Sequence, residues 1–136
     1  MFVFVIATKM LPALLAFQAA APVAVPAPPE TVAEFLLQAE ALAEMGNDAA
    51  AVSPEADAIR TAIQQAALAY RASLAEAAQR GAPPASCPPS PGQAQLTLGD
   101  ITGYFRAFPQ VNRPMPLATA FALVMTLRFP CAKTPE

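Results

Sequence analysis

The sequence predicts a small all-α domain of four helices stapled by one disulfide and preceded by a signal peptide and a proline/alanine-rich linker. Three observations carry that reading. Beyond residue 30 the prolines leave four proline-free windows, and a helix needs such windows because proline lacks an amide donor and clashes with the preceding turn. Each window carries helix start or stop signals and apolar residues at spacings of three and four. No segment shows the alternation of β-branched residues between turn signals that marks a strand. With 136 residues, 55% hydrophobic and 13% charged, the chain has material for one globular unit.

The N-terminal stretch MFVFVIATKMLPALLAFQAAAPVA has apolar residues on both sides of Lys9, followed by Ala19, Ala20 and Ala21, small residues of the kind signal peptidase accepts. Residues 1–21 are therefore expected to be a signal peptide. Met10 is an alternative start, and Pro22 argues for a cut a few residues later. Lys9 and Pro12 interrupt the run short of the roughly 20 apolar residues that span a bilayer, so no stable membrane span is expected after processing. Residues 22–30 alternate proline with alanine and valine and read as an extended linker. The helical domain is expected over residues 31–136, its folding beginning near Glu30.

The first helix is predicted over 32–45. Thr31 and Glu34 fit a capping box, Gly46 is a suitable stop, and Val32, Phe35, Leu36, Ala39, Leu42 and Ala43 form the apolar stripe. The second opens on Ser53 as cap with Pro54 at the first helical position and Glu55 and Asp57 facing the positive end of the dipole. It can run to Arg80, where Gly81 and two prolines stop it. At 1.5 Å per residue that is about 40 Å, the spine of the domain. Its stripe is Ile59, Ile63, Ala66 or Ala67, Tyr70, Leu74 and Ala77 or Ala78. In the third window Thr97 and Asp100 form a cap pairing ahead of Leu98, Ile101, Tyr104, Phe105 and Phe108. Gly99 and Gly103 each lower its helicity by about 1 kcal/mol relative to alanine, which packing must offset. The fourth starts at Pro116 and offers Leu117, Phe121, Val124, Met125 and Leu127 to the core.

Cys87 follows the longest helix and Cys131 the last, and they are the only two cysteines. Free buried thiols would suit a cytosolic chain, and a structural zinc site wants four ligands, whereas this sequence has no histidine. Paired with an export signal, Cys87 and Cys131 are expected to form a disulfide, as small exported domains commonly do.

Function classes narrow by chemistry. Eight Lys and Arg against ten Asp and Glu give a net charge of −2, and the arginines are scattered, so nucleic acid is not an expected partner. Histidine, the commonest general base, is absent. Glu34, Glu40, Glu44, Glu55, Asp57, Glu76 and Asp100 fall mostly at caps or on predicted solvent faces. GDITG has no strand before it, as a phosphate loop would require. The sequence predicts a non-catalytic protein with neither cofactor nor metal.

Tyr70 ahead of the first cysteine, the step Cys87 to Pro89, Gln95, the aromatic helix with Tyr104 and Phe105 ending at Pro109, and the terminal Phe129, Pro130, Cys131 together resemble the Rap/Tai immunity-protein domain. The likeness covers mainly residues 70–131. The chain departs from that pattern in having Ala69 and Ser73 around the tyrosine and no cysteine in the first helix. The resemblance implies a periplasmic or secreted protein that neutralises a type VI secretion effector, a peptidoglycan-cleaving amidase, as a homodimer. A loop inserted in the amidase cleft is the expected means. PQVNRPMP, residues 109–116, is the candidate, with Gln110, Asn112 and Arg113 to hydrogen-bond and Met115 as an adaptable apolar contact. The same loop also reads as a plain connector. An alternative role is that of an exported structural or stress-related protein whose apolar stripes cradle a lipid or a client protein.

Overall fold

The computed structural model describes residues 22, 24–90, 92–93 and 96–132, so the expected signal peptide and Gln95 lie outside the described residues. Over the described residues it is all-α, with five α-helices: α1 (Val32–Met45), α2 (Asn47–Ala51), α3 (Pro54–Gln79), α4 (Leu98–Ala107) and α5 (Leu117–Arg128), plus a 3₁₀ turn at Gln110–Asn112. The four predicted helices stand where the caps and prolines place them. The short α2 is additional. Gly46, at φ 81° and ψ 156°, ends α1 in a backbone region essentially confined to glycine. Its carbonyl then accepts from the Ala50 amide at 3.0 Å, so the chain re-enters a helix at once.

The caps follow the sequence signals. Thr31 Oγ1 accepts from the Glu34 amide at 3.2 Å, while Glu34 returns a carboxylate oxygen to the Thr31 amide. Ser53 caps α3 through the Ala56 amide, with Pro54 just inside. At the other end of α3, Gly81 adopts φ 65°; the Ala82 amide donates to Ala77 and the Gly81 amide to Ala78. That paired arrangement satisfies the last carbonyls and reverses the chain.

The reversal brings Ser86 back onto Tyr70. Both are buried, and their hydroxyls hydrogen-bond to each other. Tyr70→Phe leaves the Ser86 hydroxyl without this partner, and chemical denaturation is expected to show a loss of about 1–2 kcal/mol, the usual penalty for an orphaned buried group. An unchanged denaturation midpoint would show that the bond contributes nothing.

The core lies where α1, α3, α4 and α5 meet, built from Val32, Phe35, Ile59, Phe105, Phe121 and Val124 among others. Phe35 of α1 meets Phe105 of α4 edge to face, ring centroids 5.1 Å apart, and Tyr70 of α3 meets Phe121 of α5 at 6.1 Å. The predicted stripes mark this core with exceptions. Leu98 and Leu127, expected inside, are 42% and 64% exposed. Leu98 is the first residue of α4 and Leu127 the penultimate residue of α5, so both sit at helix ends beyond the reach of the opposing faces.

Residues 22–30 were expected to be a linker outside the packed structure, but their last part lies against the helices. Pro29 is buried, Gln38 Nε2 donates to the Ala27 carbonyl at 3.0 Å, and the Leu117 amide donates to the Glu30 carbonyl at 2.8 Å. A proline-rich segment has few donors to bury but keeps every carbonyl, so it can dock wherever helix donors are unpaired.

Candidate functional site

Two regions hold the sequence-predicted residues. At the first, Cys87 and Cys131 form a disulfide, with an S–S distance of 2.06 Å and Cα atoms 4.8 Å apart. The Cys87 amide also donates to the Phe129 carbonyl at 2.8 Å, so backbone and sulfur together fasten the chain leaving α3 to the chain leaving α5. Cys87 is exposed and Cys131 half-buried, which puts the staple at the surface.

The second region is the segment 109–116, and here the backbone matters more than the side chains. A helix opens with amides that have no partner inside it. In α1, the Val32 amide donates to the Met115 carbonyl at 3.2 Å and the Ala33 amide to the Arg113 carbonyl at 2.9 Å, while Thr31 and Pro116 form an isolated antiparallel bridge. The segment thus caps α1. Its four candidate contact residues divide into two pairs. Gln110 and Asn112 are exposed on the 3₁₀ turn, flanking Val111 at 83% exposure. Arg113 and Met115 are half-buried: one Arg113 guanidinium nitrogen donates to the Arg106 carbonyl at 3.4 Å, and Met115 packs against the core.

The carboxylates are spread along the helices. Glu34 and Asp100 complete capping boxes, Asp57 pairs with Arg60, and Glu76 pairs with Arg80. Among the described residues no group of three His, Cys, Asp or Glu side chains could hold a metal ion.

Asp100 is held below the usual carboxylate range, first by the hydrogen bond from the Thr97 hydroxyl at 2.6 Å, then by the Thr97 amide at 2.9 Å, with a smaller contribution from the charge of Arg128. A carboxyl lowered on folding adds stability that is present above its unfolded pKa and is lost as pH falls through the folded one. The start of α4 is therefore expected to loosen only in acid below the ordinary carboxylate range. In an NMR titration the Thr97 amide resonance should follow that step, and Thr97→Ala should move the midpoint upward. A midpoint that stays in place would remove the assignment.

A third region emerges only in three dimensions. Between α3, α5 and the proline segment after Cys87 lies an open cleft of about 530 Å³. Tyr70, Ile101 and Phe121 are its most buried lining residues, and Ile63, Leu74 and Met125 form apolar walls. Arg71 also lines it. The sequence held one unread sign of this place. Arg60 and Arg80 each have an acid one turn away, whereas the neighbours of Arg71 at three and four residues are Ala67, Leu68, Leu74 and Ala75. The capping by the Arg113 and Met115 carbonyls has no such sign, because every residue type carries the same carbonyl.

Comparison of the chain with family models, with curated proteins and with solved structures finds no match.

Proposed function

We propose that this protein is an exported, non-catalytic binding protein of the kind the Rap/Tai resemblance implies, blocking a peptidoglycan amidase with the 3₁₀ turn of segment 109–116. The observation that carries the reading is the attachment of this segment to α1. Two backbone hydrogen bonds and flanking prolines fix it, so Gln110, Val111 and Asn112 are displayed on a turn that has little freedom left to lose on binding. A surface disulfide supports a place outside the reducing cytoplasm, where such bonds persist.

The structure also decides which substitutions test the proposal cleanly. Arg113→Ala would disturb the half-buried side chain that bonds to Arg106 as well as any contact surface. Gln110→Ala combined with Val111→Asp alters only exposed side chains. In calorimetric titration against a secreted peptidoglycan amidase that co-purifies with the protein, that double variant is expected to weaken binding by about tenfold or more, the effect of losing contacts near an interface centre. Its melting temperature should stay where it was. Undiminished affinity would rule out this turn as the contact, and failure of any such amidase to co-purify would rule out the partner.

A further inference from the structure

We infer that the cleft between α3 and α5 is a binding site for a single-chain amphiphile with an anionic head, of the fatty-carboxylate class. The site lies toward the opposite end of α5 from segment 109–116 and stands independently of the amidase reading.

The lining chooses the body of the ligand. Polar side chains among the described lining residues are confined to Tyr70, Arg71 and Ser90. Tyr70 contributes little, because its hydroxyl is already engaged by Ser86 in the buried layer beneath. Pro88 and Pro89 form part of one wall and have no amide hydrogens to give. A sugar, nucleotide or peptide backbone placed against the α3 and α5 walls would bury donors and acceptors with few side-chain partners, at a cost of roughly 1–3 kcal/mol for each one left unpaired. An alkyl chain has none to lose. Met125, on the α5 wall, is unbranched and adapts to the outline of such a chain. The volume, about 530 Å³, is that of a small-molecule site, and the cleft is open to solvent, so a ligand can enter.

Arg71 chooses the head. It is the one charged residue among the described lining residues, it is exposed, and no described carboxylate lies within ion-pair distance of it. A planar guanidinium with no ion-pair partner among the described residues, at the rim of an apolar cleft, suits a carboxylate, which it can grip through two parallel hydrogen bonds. A cationic head at that position would be repelled.

The test uses the full disulfide-bonded protein and two probes with the same tail, dodecanoate and dodecyltrimethylammonium, each titrated calorimetrically below its micellar concentration. Dodecanoate is expected to bind with a stoichiometry of one and the cation not to bind. Arg71→Glu, a change on an exposed surface that leaves the core intact, is expected to weaken dodecanoate by about tenfold or more, as replacing an attractive head contact by a like charge requires. The same variant should acquire affinity for the cation. Leu74→Glu, on the cleft wall, should abolish binding of dodecanoate while the far-ultraviolet circular dichroism stays that of the parent. Absence of dodecanoate binding, equal binding of both probes, or binding indifferent to Arg71→Glu would each overturn the proposal.

Discussion

Replacing Cys87 and Cys131 together by serine is expected to lower the unfolding free energy by about 4 kcal/mol. The two cysteines are 44 residues apart, and closing a loop of that size removes about this much conformational freedom from the unfolded chain in the chain-entropy description. Because a small domain holds only about 5–15 kcal/mol in total, the loss is a large fraction of what the fold has. The effect should be uneven across the molecule. α1 and α4 meet through buried Phe35 and Phe105, a contact that does not involve the staple directly, whereas the segment from Gly81 to residue 87 would be held mainly by the Tyr70–Ser86 bond and the residue 87 amide. Hydrogen exchange should therefore show lost protection first at the residue 87 amide and around the C-terminal turn of α5. Equilibrium denaturation of the double serine variant and the parent measures the total. A difference under about 1 kcal/mol would mean that the unfolded chain is already confined without the bond.

The second large effect is expected at Phe105. This ring is fully buried, stands edge to face against Phe35 and lies 5.9 Å from Phe108. Phe105→Ala removes a large apolar side chain from the contact between α1 and α4, and the expected cost is about 3–5 kcal/mol, because loss of transfer energy and an unfilled cavity act together. The short α4 should suffer most: it carries Gly99 and Gly103 and depends on packing to remain helical. Phe35→Ala should cost a similar amount. The double variant should lose less than the sum of the two, since each single change already destroys the shared contact. Strict additivity would show that the rings are stabilised separately, and a Phe105→Ala protein as stable as the parent would refute the placement of α4.

Both sites were visible in the sequence for different reasons. The prolines and caps located α1, α3, α4 and α5 because a missing amide and a side-chain acceptor act within one turn, where sequence is read directly. Phe105 was marked by the periodicity of its helix. Cys87 and Cys131 were paired because they are the only two cysteines, are flanked by prolines and accompany an expected export signal, with no histidine to complete a metal site. What escaped notice depends on groups that every residue shares or on distances across the fold. The α2 turn hangs on one glycine conformation at Gly46, and the docking of residues 27–30 on carbonyls meeting the side chain of Gln38 and the amide of Leu117. Of the four residues singled out as a contact surface, Gln110 and Asn112 stand outside, while Arg113 and Met115 are half enclosed, a division that a linear pattern of polar residues does not encode. The cleft needed Leu74 and Met125 to be seen on facing helices.

The bridge between Thr31 and Pro116 also sets a timetable. A ribosome makes the N-terminal end first, yet the leading amides of α1 find their acceptors at Arg113 and Met115, more than half the chain later. The first of the described helices has the Thr31–Glu34 box to cap it from the outset but gains these two carbonyls only when the segment before α5 arrives, while Leu117 meets a Glu30 carbonyl made long before it. The two ends of the described domain are thus joined only once most of the chain has been made, which makes their docking a late event in folding.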